Sequence, residues 1–211
     1  MATIGVIDYG MGNLHSIAKA LEYVAPNDRV EVSYDPDVLR KADRLVFPGV
    51  GGIAYCMAEL QRLELDDFIR QTAGTKPLMG ICLGMQALLS RSDENKGIEA
   101  LGVFPGLVTR FQRNAENPAL KIPHMGWNQV LRERDHLLWR DVPEEAWFYF
   151  VHSYYAAPET SDFVLGTTEY GARFASVLLR DNVFAVQFHP EKSQAAGLAL
   201  LANFVQWDGV A

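Results

Sequence analysis

The sequence predicts an α/β fold in which a central, mostly parallel sheet is flanked by helices and antiparallel strands make up the second half. Two observations favour this fold. In the first half, short apolar runs alternate with segments of helical periodicity, as in a parallel sheet covered on both faces. In the second half, strand-like runs follow one another without helices between them. The 211 residues contain no linker, repeat or low-complexity stretch, so we expect a single domain spanning residues 1–211.

The first half is predicted to hold four apolar strands and three helices. An apolar run at residues 4–8 ends in a glycine-containing loop, and apolar side chains then recur at helical spacing over residues 14–24. Further strands are predicted at residues 30–32, 45–47 and 78–81, and further helices at residues 53–72 and from the residue after Cys82 to about residue 90. Sites in parallel sheets form at the carboxyl ends of strands, so three segments are predicted to lie at one edge: residues 9–13, residues 48–52 and the turn at Cys82.

The second half is predicted to be antiparallel. Its apolar runs are separated by turn-forming pairs, as in hairpins: Pro143-Glu144, Pro158-Glu159 and Asp181-Asn182. Strands are predicted at residues 106–111, 127–131, 148–155, 164–168, 176–179 and 183–188. A final helix is predicted over residues 194–207, where apolar side chains recur at helical spacing.

Composition and charge argue against several classes of protein. The net charge of −7 disfavours a duplex nucleic-acid binder, which usually carries a basic face. No apolar run approaches the ~20 residues that a membrane span needs, and the first residues lack a signal-peptide pattern. Cys56 and Cys82 do not form a disulfide framework, and no Cys/His spacing indicates a metal site. We therefore expect a cytoplasmic protein that uses no metal or cofactor and binds neither nucleic acid nor membranes.

Cys82 lies in the pentapeptide Gly80-Ile81-Cys82-Leu83-Gly84, on a predicted turn from an apolar strand into a helix. This is a thiol version of the Gly-x-Ser-x-Gly nucleophile elbow. The flanking glycines permit a sharp turn and leave room around the reactive atom. The start of the following helix would stabilise a thiolate. The alternative interpretation is an ordinary buried cysteine.

A nucleophilic cysteine needs a base, and the base needs an orienting group. His189-Pro190-Glu191 follows the apolar run at residues 183–188, so imidazole and carboxylate are two residues apart at another strand end. Alone, each side chain could be an ordinary surface residue. Together with Cys82 they predict a Cys-His-Glu triad at one edge of the sheet.

The segment Pro48-Gly49-Val50-Gly51-Gly52 is rich in glycine but matches neither a dinucleotide-binding nor a Walker loop. It could be a simple turn that leads into a helix. Its backbone N–H groups could also stabilise an oxyanion beside Cys82, with the N–H of Leu83 as the second donor. We retain the loop, including Gly51, as a candidate oxyanion hole.

These motifs resemble those of the class I (triad-type) glutamine amidotransferases. The resemblance rests on residues 80–86 and on Phe188-His189-Pro190-Glu191. Residues 8–14, 48–51, 123–128 and 149–155 narrow it to glutaminase subunits that supply a separate synthase, and it covers essentially the whole chain. The resemblance implies a flavodoxin-like class I glutamine amidotransferase fold and a glutaminase activity.

The resemblance also implies a role for each candidate residue. Cys82 would attack the side-chain amide of glutamine, His189 would move the proton, and Glu191 would orient the imidazole. The N–H groups of Val50 and Leu83 would bind the oxyanion, and a glutamyl thioester would form and be hydrolysed. The residues implied in binding glutamine are Gln86, Glu94, Ser153 and Tyr154.

The implied partner is a cyclase subunit with a (βα)8 barrel, which would receive the ammonia in a heterodimer. Its interface would include Trp127, Asn128, Tyr149 and Lys192, although a tryptophan could equally belong to the core. Glycines on both sides of Val50 would let the Gly49–Val50 peptide rotate as a gate. The other histidines are weaker candidates, and we expect His15 and His136 to be surface residues.

Two other interpretations stay open at this point. The chain could be an amidotransferase subunit that serves a different acceptor enzyme, although the segments at residues 123–128 and 149–155 argue against it. It could also be a flavodoxin-like binding module in which Cys82 is merely buried. That interpretation predicts a thiol that does not react with an electrophile shaped like glutamine.

Overall fold

The computed structural model describes residues 1–113 and 117–210, and within them the chain forms two β-sheets and six α-helices. The strands are β1 (Thr3–Ile7), β2 (Arg29–Ser33), β3 (Arg44–Gly49), β4 (Leu78–Cys82), β5 (Leu89–Ser92), β6 (Ile98–Glu99), β7 (Phe104–Arg110), β8 (His124–Gln129), β9 (Leu131–Arg132), β10 (Trp147–His152), β11 (Tyr154–Pro158), β12 (Val164–Glu169), β13 (Arg173–Arg180) and β14 (Val183–Val186). The helices are α1 (Leu14–Val24), α2 (Pro36–Leu39), α3 (Ile53–Arg62), α4 (Leu65–Thr72), α5 (Leu83–Ala87) and α6 (Gln194–Gln206).

The large sheet has the order β2-β1-β3-β4-β14-β13-β11-β7-β5-β6, with β12 paired to β13 and β9 to β12. The pairs from β2 to β14 are parallel, and β14, β13, β11 and β7 follow one another antiparallel. Strands β8 and β10 form a separate antiparallel pair. The predicted change from a parallel first half to a largely antiparallel second half is therefore confirmed.

The core lies on both faces of the parallel strands. In β3, Val46 belongs to one buried cluster, whereas Leu45 and Phe47 belong to the other. Helices α1 and α6 cover the first face and α3 and α4 cover the second. This double coverage explains why the inner strands β1, β3, β4 and β14 are largely apolar, whereas the edge strand β2 alternates.

The single helix predicted over residues 53–72 is wrong, because the structure divides it into α3 and α4. Leu60 and Leu65 are both fully buried, yet five residues place them about 140° apart on one continuous helix. Glu64 takes a left-handed conformation (φ 58°) between the two helices. The chain can therefore turn both leucines towards the same apolar cluster.

Two more predicted boundaries are wrong. The helix after Cys82 ends at Ala87 instead of continuing to about residue 90, and the chain then enters β5. The strand predicted over residues 148–155 breaks at Ser153, so that β10 pairs with β8 while β11 joins the large sheet. Both breaks bring polar groups to the carboxyl edge of β4, where the predicted site residues lie.

Candidate active site

Cys82 occupies a sharp turn between β4 and α5. Its backbone angles are φ 55° and ψ −109°, a conformation that non-glycine residues seldom adopt. The following helix lies so close to β3 that a Cβ on Gly84 would be 2.0 Å from the Phe47 carbonyl oxygen. The glycine pattern is thus needed for the close approach of α5, as an elbow requires.

The thiol of Cys82 is buried and has two polar neighbours. Its Sγ lies 4.0 Å from the Val151 carbonyl oxygen, and the Gln187 side-chain amide donates to Sγ at 3.7 Å. Helix α5 has only five residues, so its dipole contributes less than the predicted longer helix would. The side-chain amide of Gln187 is the second source of stabilisation for a thiolate.

His189 and Glu191 are hydrogen-bonded to each other. His189 Nδ1 lies 2.9 Å from Glu191 Oε1, and both side chains are almost fully buried. Burial opposes the imidazolium, but the interactions of the ring with the Cys82 thiol and the Glu191 carboxylate outweigh it and raise the pKa of His189. His189 Nε2 is buried with no hydrogen-bond partner among the described residues. This nitrogen is the one available for proton transfer.

The loop after β3 lies beside the thiol. Gly49 is the register partner of Cys82 across the β3–β4 pair, and Val50 and Gly51 follow it. A Cβ on Gly49 would be 2.4 Å from the Tyr9 hydroxyl and 2.9 Å from Leu83 Cβ, so only glycine fits there. Gly51 has a φ of 97°, which again favours glycine.

Most of the predicted catalytic and glutamine-binding residues line one cavity of about 370 Å³. Glu191 does not line it and lies behind His189. Pro123, Val151, His152 and Gly52 complete the wall. The predicted residues that line the cavity are Val50, Gly51, Cys82, Leu83, Gln86, Glu94, Ser153, Tyr154 and His189.

Gln86 and Glu94 also bind the protein itself. The Gln86 amide donates to the Tyr154 carbonyl oxygen at 2.8 Å and to Gln187 Oε1 at 3.0 Å, which uses both of its hydrogens. Its carbonyl oxygen remains to accept from a bound molecule. Glu94 Oε2 accepts from the backbone N–H of Ile53 at 3.0 Å and so caps the first turn of α3.

Three of the four predicted interface residues form one cluster. Trp127 and Tyr149 are register partners in β8 and β10 with ring centroids 6.1 Å apart, and Lys192 Nζ lies 5.9 Å from the Tyr149 ring centroid. Trp127 remains 42% exposed. Asn128 does not join them, because neighbouring residues of a strand face opposite sides. Its amide donates to the Glu169 carbonyl oxygen at 2.9 Å and lies 3.3 Å from His124 Nε2.

Two histidines that the sequence left without a role lie at the cavity: His152 lines its wall and His124 lies behind His152. His124 and His152 are buried register partners in β8 and β10, with His124 Nδ1 2.9 Å from His152 Nε2. Burial lowers the pKa of His124 to about 4 and that of His152 to about 3, so both rings are neutral near pH 7. No sequence signal could have paired them, since they are 28 residues apart.

The prediction of an exposed side chain is right for His15 and wrong for His136, and Gln187 was not predicted as a site residue. His15 is exposed as predicted, but His136 is half-buried against the Trp207 ring and accepts from the Leu138 N–H. Its expected place on the surface is therefore corrected. Gln187 was missed, although a single amide in the apolar run before His189 was a usable signal.

Comparisons with known proteins agree with this architecture. A family model described as Glutamine amidotransferase class-I matches residues 5–207. The curated imidazole glycerol phosphate synthase subunit HisH from Nitrosococcus oceani is 55% identical over 210 residues, covering 100% of both chains. The subunit of that name from Methylococcus capsulatus is also 55% identical, covering 99% of this chain and 98% of its own.

A solved structure with the same fold is PurLQS from Thermotoga maritima, which matches with a TM-score of 0.72 at 19% identity. The match covers 98% of this chain and 99% of that chain. At this level of identity the likeness concerns the fold alone. The predicted fold class is confirmed by this match and by the family model.

Proposed function

Since the chain belongs to the class-I glutamine amidotransferases, and within them to the HisH subunits of imidazole glycerol phosphate synthase, we propose that it hydrolyses glutamine with a Cys82-His189-Glu191 triad. The observation that carries this assignment is the buried hydrogen bond between His189 Nδ1 and Glu191 Oε1. It leaves Nε2 unpartnered among the described residues, in a cavity shared with the Cys82 thiol.

The reaction divides into two halves. The Cys82 sulfur attacks the side-chain amide carbon of glutamine, while His189 Nε2 takes the thiol proton. His189 then gives that proton to the amide nitrogen, ammonia leaves, and a glutamyl thioester remains. In the second half a water molecule attacks the thioester, His189 takes its proton and returns it to the departing sulfur, and glutamate is released. Glu191 orients the imidazole and stabilises its charged form throughout.

The tetrahedral oxyanion is bound by backbone N–H groups of the loop after β3 and of the first residue of α5. Val50 and Leu83 supply the donors, and Gly51 supports the loop. Val50 is flanked by glycines, so the Gly49–Val50 peptide can rotate at low steric cost. We propose that this rotation couples glutamine hydrolysis to the acceptor bound on the partner.

The bound glutamine is held by Gln86, Glu94, Ser153 and Tyr154, which share the wall of the cavity. The free carbonyl oxygen of Gln86 and the carboxylate of Glu94 are suited to its ammonium group. Glu94 caps α3 at the same time, so it links substrate binding to the loop at residues 49–52.

The ammonia passes to the cyclase subunit HisF, a (βα)8 barrel, in a heterodimer. HisF converts the ribulosyl-phosphate intermediate PRFAR to imidazole glycerol phosphate and AICAR in histidine biosynthesis. A sealed route is needed because ammonia protonates in neutral water and then is no longer a nucleophile. Trp127, Tyr149 and Lys192 are proposed to dock on the barrel, with Asn128 behind them.

We also propose that residues 1–211 form one domain that acts in the cytoplasm. No helix within residues 1–113 and 117–210 is long and apolar enough to cross a membrane. The parallel strands carry a continuous core on each face, which supports a single folding unit.

The test compares glutamine and ammonia as nitrogen sources. In the complex with HisF and PRFAR, Cys82→Ala is expected to abolish glutamine-dependent synthesis and to leave ammonia-dependent synthesis intact. Loss of both activities would mean that Cys82 matters for folding or docking, which would contradict its role as nucleophile. Wild-type glutamate release should be slow alone and rise strongly with HisF and PRFAR. No rise would indicate a different acceptor enzyme.

A further inference from the structure

A line of hydrogen-bonded groups, buried except for the half-buried Asn128 and Tyr154, connects the small sheet with the thiol. It begins at Asn128 in β8, crosses from His124 to His152 between the two strands, and reaches the Tyr154 carbonyl oxygen beyond the break at Ser153. The line then continues through side-chain amides to the sulfur: Gln86, Gln187 and Cys82.

The Tyr154 carbonyl oxygen determines the direction of every hydrogen bond in this line. It can only accept, and it lies 2.8 Å from both His152 Nδ1 and Gln86 Nε2. His152 must therefore be protonated on Nδ1, which leaves its Nε2 as an acceptor for a proton on His124 Nδ1. His124 Nε2 in turn accepts from the Asn128 amide.

The Tyr154 carbonyl oxygen also determines how the side-chain amides of Gln86 and Gln187 are oriented. Gln86 Nε2 faces the Tyr154 carbonyl and also donates to Gln187 Oε1, so Gln187 turns its NH₂ group towards Cys82 Sγ. Neither amide can flip without losing a buried bond. The Tyr154 carbonyl oxygen thus fixes the tautomers of His152 and His124 on one side. On the other side it fixes the orientation of the Gln187 amide, which donates to the Cys82 sulfur.

We propose that His124 and His152 are positioning residues, which hold the Tyr154 carbonyl so that Gln86 and Gln187 direct an N–H group at the Cys82 sulfur. The inference rests on the proposed role of Cys82 as nucleophile. His124 does not line the cavity, whereas His152 forms part of its wall, and in this scheme both rings act on the sulfur through the Tyr154 carbonyl oxygen. The pair connects the sulfur with Asn128, on the strand that carries Trp127.

Packing by itself does not require histidine at position 124. The ring is stacked between Tyr170 and Phe150, with centroids 3.9 Å and 4.8 Å away. A phenyl ring would fill the same slot without two polar nitrogens whose burial is unfavourable unless both are hydrogen-bonded. The retained nitrogens therefore indicate a role for the hydrogen bonds themselves.

Two substitutions at His124 separate the two roles. His124→Phe keeps the stacked ring and removes both nitrogens. His124→Asn loses the ring but retains an N–H group at the position of Nδ1. If the hydrogen bond positions the thiol, His124→Phe lowers both kcat for glutamine and the rate of Cys82 alkylation by iodoacetamide about ten-fold. His124→Asn then retains most of both rates, and the KM changes little in either variant.

The opposite pattern, with His124→Phe active and His124→Asn impaired, would show a packing role and overturn the proposal. Exposed His15 provides the control, because His15→Phe adds the same phenyl ring outside the line.

Alkylation is followed on the Cys82 peptide by mass spectrometry, which separates it from buried Cys56. If the wild-type chain in complex with HisF has no glutaminase activity, the proposed function fails. An active wild type with unaffected variants overturns the positioning role alone.

A spectroscopic measurement on the wild-type full chain does not depend on the folding of any variant. In ¹⁵N-resolved NMR spectra near pH 7, His124 and His152 should each show one neutral tautomer with the proton on Nδ1. Exposed His15 supplies the reference signal of a ring outside the line. A proton on Nε2 of His152 would break the line at the carbonyl and overturn the inference.

Discussion

At the scale of single residues, the site depends on one strained turn. Cys82 takes a positive φ that costs on the order of 1–3 kcal/mol and persists only where the surrounding structure enforces it. The enforcement comes from Gly80 and Gly84, since a Cβ on either would collide with neighbouring atoms. The strain holds the sulfur at the carboxyl edge of the sheet, in the cavity where His189 lies.

Gly84→Ala is expected to lower the free energy of unfolding by about 3 kcal/mol and to abolish glutamine hydrolysis. The added methyl group would lie 2.0 Å from the Phe47 carbonyl oxygen and push α5 away from β3. Urea denaturation and glutamate release measure the two effects. Gly74→Ala is the control, because a Cβ there meets nothing within 4 Å. Equal stability of the two variants would contradict the close approach.

Glu94 has a charge and an acceptor that two substitutions can separate. Glu94→Gln retains an acceptor for the Ile53 N–H but loses the charge, so we expect about a ten-fold higher KM for glutamine with little change in stability. Glu94→Ala also removes the cap of α3 and should cost about 1 kcal/mol of stability. The measurements are steady-state kinetics and urea unfolding. An unchanged KM in Glu94→Gln would leave Glu94 only the capping role.

At the scale of elements, the β8–β10 pair joins the proposed interface to the cavity. Its strands alternate, so that Phe148, Phe150 and His152 are buried while Trp147 and Tyr149 are more exposed. One face contributes to the core and the other carries Trp127 and Tyr149. The two-stranded sheet thus carries the proposed interface residues and also contributes residues to the wall of the active site.

The buried histidines of this pair should make the protein sensitive to acid. Their folded-state pKa values, about 4 for His124 and about 3 for His152, lie below the ordinary value of 6.5. Between those values the unfolded chain binds more protons, so their contribution to stability is present above pH 6.5 and is lost as the pH falls. We expect the urea midpoint to fall over this range, and to fall less in His124→Phe.

The control is a histidine whose removal does not change how the urea midpoint depends on pH. His15 is exposed, so His15→Phe should show the wild-type dependence on pH. If His124→Phe and the wild type lose stability in parallel from neutral to acid pH, the buried pair does not cause the sensitivity.

At the scale of the whole molecule, the proposed transfer of ammonia requires a second protein. The cavity is lined by residues after β3 and β4 and by residues of the small sheet, and the same sheet carries Trp127 and Tyr149, with Lys192 beside the Tyr149 ring. An exposed tryptophan with an aromatic neighbour and a cation has the composition of an interface hot spot. This composition supports the proposal that the cyclase subunit docks on the cluster.

Trp127→Ala is expected to weaken the complex with HisF about ten-fold or more, or to release ammonia uncoupled from synthesis. Isothermal titration measures the affinity, and the ratio of glutamate to imidazole glycerol phosphate measures the coupling. Tyr23→Ala removes another exposed aromatic side chain, from α1, and should change neither quantity. If Trp127→Ala behaves like Tyr23→Ala, the cluster is not the docking surface.

Much of the architecture was predictable because it follows from local patterns. Helix α1 begins and ends where the periodicity placed it, and the hairpin at Asp181-Asn182 joins β13 to β14. Local patterns failed where tertiary packing overrode them. The periodicity of residues 53–72 did not reveal the left-handed Glu64, which turns two leucines to one cluster. The run through residue 155 did not reveal that Ser153 separates two sheets.

The sequence by itself determined the family, the parallel-then-antiparallel order and the position of Cys82 on its elbow, because these depend on glycine spacing and on runs of neighbouring residues. The tertiary structure alone decided that Gln187 faces the sulfur, that Asn128 binds the Glu169 carbonyl oxygen, and that His124 meets His152. Those contacts depend on strand register and on which face of a strand a side chain occupies. They join residues far apart in the chain, and no local pattern of side chains encodes them.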